Sequence, residues 1–255
     1  MVLVFDIGNT NIKMGVFRGD ELTDSLRMAS TNKTGDEYWL LVRDLLSVKG
    51  VSSSDVEGAI ISSVNPNLNY TFEHMIETYF SFKPMTVGAG LKTGLHIKYD
   101  NPRELGADRV AGCVAAYKLY GAPAIVIDCG TATTFNVITA DGELTGGAIS
   151  FGLKSAAEAL AKSAARLPKV ELSVPARAIG KTTITNMQSG IIFGYCGMVE
   201  AMVKRIKAEA GMPNAKVVAT GGISDIVNQC SDIIDIVDRT LTLRGLNIIY
   251  NMNRK

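Results

Sequence analysis

The chain has 255 residues, enough for two domains with cores of their own. Hydrophobic residues at 47% and charged residues at 20% are usual for a soluble globular protein, and a net charge of +1 leaves no basic surface for nucleic acid and no acidic tail. No apolar run reaches the ~18 residues of a membrane span, and the N-terminus opens on a strand with an acid at position 6 rather than on a signal peptide, so a cytoplasmic protein with no membrane partner is expected.

The first stretch, VLVFDIGNTNIKMGVF from Val2 to Phe17, is predicted to form strand, tight turn, strand. Its tip joins a carboxylate (Asp6) to Gly8, Asn9, Thr10 and Asn11. Such a tip suits phosphate: Gly8 lets the backbone approach an anion, and backbone N–H groups with the Thr10 hydroxyl can donate to phosphate oxygens. Asp6 would face the same phosphates through a divalent cation, because two bare anions repel. One such hairpin alone is equally well an ordinary polar turn.

A third strand is expected over Glu21–Ala29, then an amphipathic helix over Gly35–Val48. A buried strand at Val56–Val64 leads to a helix capped by Asn67 or Asn69 and running to about Phe80. His74 lies on that helix and is expected to be a surface or packing residue. Gly88, Gly90 and Gly94 have the wrong spacing for a dinucleotide loop. Leu95–Asp100 is a short strand or extended loop with Tyr99 near its end, and Pro102–Tyr120 is a helix with Asp108 and Arg109 early in it.

The second half begins near Ala122 with AIVIDCGTATTFNVI, where an apolar strand again ends in an acid, Asp128, followed by Gly130 and Thr131. The same device used twice predicts two similar lobes, divided near Tyr120, that hold a nucleotide's phosphates between them. A helix over Leu153–Leu167 follows. Gly180-Lys181-Thr182 resembles a P-loop ending, but Pro175 stands where the first glycine should be. A long helix is predicted from Thr185 to Ala210, with Gly190, Gly194 and Gly197 on a face suited to close approach. Lys216–Thr220 is a strand ending in Gly221-Gly222, and the last of two helical segments runs over Arg239–Met252. The four cysteines show no C-x-x-C and are expected to be reduced, buried thiols. With only two histidines in the chain, a carboxylate is the expected base of any phosphotransfer.

The motif order resembles type III pantothenate kinase, a family of the actin, hexokinase and heat-shock-70 ATPase superfamily. The matching pieces are DIGNTNIK at 6–13, GADR at 106–109, DCGTATTFN at 128–136, GGAIS at 146–150, GKTT with NMQSG at 180–190, and ATGG at 219–222. Phe151 departs from the pattern, standing where the family usually has proline. The resemblance implies an α/β fold of two ribonuclease-H-like, actin-like ATPase halves, 1–120 and 121–255. It implies ATP-dependent phosphorylation of pantothenate, the first step toward coenzyme A. Asp6, Ile7, Gly8, Asn9, Thr10, Asn11, Ile12, Lys13 and Thr131 would bind ATP, with Asp6 on the Mg²⁺ side. Asp108 would be the proton acceptor, and Tyr99, Gly106, Ala107, Arg109 and Thr183 would touch pantothenate. Asp128 would hold a monovalent cation, K⁺ or NH₄⁺, and the protein would be a homodimer with its substrate site near the subunit interface. The residues by themselves reach only phosphates and a carboxylate base. Another kinase or phosphohydrolase of the superfamily, or a non-catalytic nucleotide-binding relative, shares the two tips.

Overall fold

A computed structural model describes residues 1–163 and 167–254. In chain order the elements are β1 (Val2–Ile7), β2 (Asn11–Arg18), β3 (Glu21–Ala29), α1 (Gly35–Val48), β4 (Gly58–Ser63), α2 (Pro66–Phe80), β5 (Met85–Thr86), β6 (His96–Ile97) and α3 (Ala107–Tyr120). Then come β7 (Ala124–Cys129), β8 (Ala132–Ile138), β9 (Glu143–Phe151), α4 (Leu153–Ser163), α5 (Thr183–Glu209), β10 (Lys216–Thr220), α6 (Ser224–Cys230), β11 (Ile236–Val237) and α7 (Leu241–Asn253). They form two compact units, one of Met1–Leu95, Asp100–Ala115 and Thr240–Lys255, the other of His96–Tyr99 and Ala116–Arg239. The last helix thus counts with the first unit rather than with the residues just before it.

The first unit holds a five-stranded sheet in the order β3-β2-β1-β4-β5. The β1–β2–β3 meander is antiparallel, and β4 and β5 add in parallel. Every residue of β1 is buried, as a central strand covered on both faces requires. Leu3, Phe5 and Ile7 pack with Tyr38 and Val42 of α1 and Phe72 and Met75 of α2. Thr34 caps α1 in a reciprocal pair with Glu37, and α1 keeps the predicted bounds. Helix α2 starts earlier than predicted: Pro66 fills its first turn after Asn65, because a proline has no N–H to leave unpaired there. On the sheet's other face, Tyr250 of α7 lies so close over Gly58 that a side chain at 58 would overlap its hydroxyl.

The second unit repeats this plan. Its six strands run β11-β10-β7-β8-β9-β6, with β7–β8–β9 antiparallel and β10 and β11 parallel to β7. Ile125, Ile127, Cys129 and Phe135 pack with Ile192, Tyr195, Val199 and Val203 of α5. The predicted helix after Leu153 is seen to Ser163, and residues 164–166 lie outside the described residues.

Two more expectations change. Helix α3 begins at Ala107, not Pro102, because Pro102–Glu104 forms a separate 3₁₀ turn capped by Asn101. The small residues of α3 serve packing inside the chain. Gly245 of α7 lies on the Ala111 carbonyl, where a side chain would overlap backbone. Ala111, Cys113, Val114, Ala115 and Ala116 are all fully buried. Cys196 and Cys230 are joined in a disulfide, so only Cys113 and Cys129 are the buried thiols expected of all four. Burial pushes both thiols up to about 12, which leaves them inert.

Candidate active site

The first unit brings its predicted site residues to one end of its sheet. Gly8 N–H donates to the Asn11 carbonyl at 3.0 Å, closing the tight turn after Asp6. Lys13 faces Asp6 across the β1–β2 ladder, its ammonium 3.5 Å from the carboxylate. Asp6 is 8% exposed, so this neighbour offsets the cost of burying its charge. Ile7 and Ile12 are fully buried in the core, so any service to a phosphate comes from their backbone. Asn9, Thr10 and Asn11 are exposed at the tip.

The GADR segment opens α3 at this same end. Gly106 offers its carbonyl to Val110 N–H in the first helical bond. A Cβ built on Gly106 would lie 3.5 Å from Val64, whose N–H in turn donates to the Ile7 carbonyl at the end of β1. The Asp108 carboxylate folds back over the helix start and accepts from Arg109 N–H at 2.7 Å. The unpaired N–H groups of a first helical turn favour an anion at this position. Asp108 and Arg109 are both partly exposed.

In the second unit, Asp128 sits between oxygen-bearing neighbours. In register beside it are Thr134 on β8 and Thr220 on β10. Gly221, in a left-handed conformation at φ +94°, brings backbone against it: a Cβ there would lie 2.6 Å from the Asp128 carboxylate oxygen. The exposed Thr131 offers its carbonyl to the Ser155 hydroxyl at 2.9 Å, and Gly152 packs against the same tip. Beneath the tip, the Tyr195 hydroxyl is 2.6 Å from that of Thr133, which donates to the Phe151 carbonyl at 2.9 Å. Burial raises the pKa of Tyr195, so it remains a neutral phenol. Tyr99 follows β6, whose partner is β9. Thr183, in the first turn of α5, lines a cavity of about 680 Å³ with Phe151, Leu160, Asn186, Ile191 and Tyr195. Thr182 and Thr185 cap α5, so the Gly-Lys-Thr-Thr stretch is a helix start, not a phosphate loop. His74 is exposed and stacks on Tyr70.

Sequence reasoning passed over Ser62 and gave no role to Thr220, although Thr220 stands in the ATGG match. Thr220 is the last residue of β10 and Ser62 the last but one of β4, each a polar residue after an apolar run, and each lies in register with a tip acid, Ser62 with Asp6 and Thr220 with Asp128.

Comparison with known proteins gives the family and the fold. A family model described as type III pantothenate kinase matches residues 2–205. Among solved structures, a Campylobacter jejuni protein named as a Baf family transcriptional activator superposes with a TM-score of 0.64 at 19% identity, covering 98% of each chain. A Sinorhizobium meliloti protein named as a 2-dehydro-3-deoxygalactonokinase gives 0.60 at 10% identity, over 98% of this chain and 96% of that one. The activator of 2-hydroxyisocaproyl-CoA dehydratase from Clostridium difficile, with bound ADPNP, gives 0.53 at 12%, over 99% and 94%. These likenesses establish the two-lobed actin-like ATPase fold, and the match across most of the chain establishes that it belongs to the type III pantothenate kinase family, the enzymes that phosphorylate pantothenate with ATP to begin coenzyme A synthesis.

Proposed function

We propose that Asp108 accepts the proton of pantothenate's primary hydroxyl as that oxygen bonds to the γ-phosphorus and the bond to the ADP oxygen breaks. The observation that carries this is the placement of its carboxylate over Gly106, at the sheet end where Val64 meets the strand of Asp6. Arg109, beside it, suits the pantothenate carboxylate by its bidentate fork. Gly106 and Ala107 would line the same site, with Tyr99 and Thr183 as further pantothenate contacts. Asp6 through Lys13 and Thr131 would hold the ATP phosphates.

Among the described residues no group of three His, Cys, Asp or Glu side chains assembles into a metal cage. That fits ions shared between one carboxylate and phosphate oxygens. We assign Mg²⁺ to Asp6 and a monovalent cation to Asp128, whose in-register neighbours Thr134 and Thr220 are neutral oxygen donors, whereas Asp6 has Lys13. When bound, the ions offset the charge of the triphosphate. The test is a coupled assay with ATP and pantothenate: product should form only with Mg²⁺ present, and the rate should rise when K⁺ or NH₄⁺ replaces Tris. Equal rates in both salts remove the cation from Asp128.

We also propose a homodimer in the cytoplasm, with neither nucleic acid nor membrane as partner. The net charge of +1 offers no basic surface for nucleic acid, and no helix among the described residues is long and apolar enough to cross a membrane. With the small face of α3 taken by α7, the interface falls to α5. Gly190, Gly194 and Gly197 have open space where a Cβ would point, and Phe151 and Ile184 nearby are 54% and 50% exposed. Light scattering at micromolar concentration should give twice the chain mass of 27.2 kDa. A monomer refutes it.

A further inference from the structure

The two phosphate tips share a feature that neither motif contains. On the parallel strand beside each tip acid, in register with it, stands a buried hydroxyl: Ser62 beside Asp6 and Thr220 beside Asp128. In-register residues on neighbouring strands project to the same face of a sheet. Ser62 is 0% and Thr220 1% exposed, and neither hydroxyl oxygen has a hydrogen-bond partner. More than nine in ten buried polar groups are paired, so each such group calls for a physical reason. A single case is unremarkable. Two cases, at equivalent positions of a repeated fold and each next to the acid that faces phosphate, share one explanation: the partner arrives with the ligand.

We propose that each hydroxyl supplies the second protein oxygen by which the ion at its tip, with that ion's water shell, is held. Thr220 serves the monovalent cation at Asp128, and Ser62 serves Mg²⁺ at Asp6. This rests on the assignment of those ions made above. The difference between the tips follows from their rows across the sheet. The Asp6 row continues to Lys13 and Arg27, two fixed cations. The Asp128 row continues to Thr134 and Ile149, which carry no charge. The second tip thus sets only neutral hydroxyl oxygens in register with its carboxylate, a donor set an oxygen-preferring cation can share.

The test is thermal melting of the whole protein with ADP, titrating KCl against choline chloride and, separately, MgCl₂. Thr220→Val keeps the shape and removes the hydroxyl. It should raise the half-saturating K⁺ by about tenfold, the lower end of what losing a supporting oxygen costs, and leave the Mg²⁺ titration unchanged. Ser62→Ala should do the reverse, and Thr220→Ser should behave as wild type. Without ligands, Thr220→Val should melt no lower than wild type, because it deletes a buried unpaired group. A lower ligand-free melting point, or unchanged titrations, overturns the proposal; Thr220→Ala provides the same reading should the valine variant fail to fold. Asp128→Asn separates the two levels. If K⁺ stabilises wild type and Asp128→Asn but not Thr220→Val, the ion belongs to Thr220 without Asp128, and the assignment beneath the proposal fails. If Asp128→Asn abolishes the K⁺ effect and Thr220→Val does not, only the role of Thr220 falls.

Discussion

Asp108→Asn is expected to lower kcat by about 10²–10⁴-fold, the usual contribution of a positioned general base. Asparagine keeps the shape of the side chain and can still accept from Arg109 N–H, as Asp108 does at 2.7 Å, so the start of α3 is preserved. What it loses is the ability to take a proton. The KM values for ATP and pantothenate should change little, since other groups carry binding. Two companion variants sharpen the result. Arg109→Ala should chiefly raise KM for pantothenate. Gly106→Ala places a Cβ 2.5 Å from the Asp108 carboxylate oxygen, so the acid must move while remaining present, and kcat should fall. Near-normal kcat in folded Asp108→Asn would end the assignment, and Asp6 would be the next acid to test.

Gly245→Leu is expected to be among the most destabilising single changes in the chain. Gly245 lies directly on the Ala111 carbonyl, and the obstruction is backbone, which cannot rotate away. Overpacking typically costs 1–3 kcal/mol, and a clash with main chain belongs at the top of that range. A loss of about 3 kcal/mol lowers Tm by roughly 6–12 °C in a protein of this size. Because α3 also carries Asp108, residual folded enzyme should show reduced kcat. Melting followed by circular dichroism decides: a wild-type Tm would mean that α7 does not press on α3 as described.

Much of the fold could be read from local sequence. The strands before Asp6 and Asp128 are continuous apolar runs, and the residues after them can only be turns. Helix α1 was legible from its apolar spacing, and in the structure the Thr34–Glu37 pair caps it at the predicted start. What stayed hidden depends on residues far apart in the chain meeting in space. The α3 glycine and alanines promise close approach without saying to what, and the answer was Gly245 of α7. Cys196 and Cys230 are separated by 34 positions and sit on different helices, so nothing local links them. The pairing of Ser62 with Asp6 and of Thr220 with Asp128 exists only through parallel-strand register, which no short motif encodes. The substrate was named by family motifs, because a carboxylate beside a phosphate tip serves many alcohols equally.

The place of α7 also sets a timetable for biosynthesis. A ribosome delivers Arg239, the last residue of the second unit, before it delivers any of α7. The second unit can therefore fold with its chain complete. The first cannot, although its sheet emerged long before. Until Tyr250 reaches Gly58, the face bearing Val2, Val4 and Ile60 has no α7 to cover it. Such a nascent chain presents an apolar sheet face to its surroundings throughout synthesis of the second unit, and that is the surface a chaperone would shield.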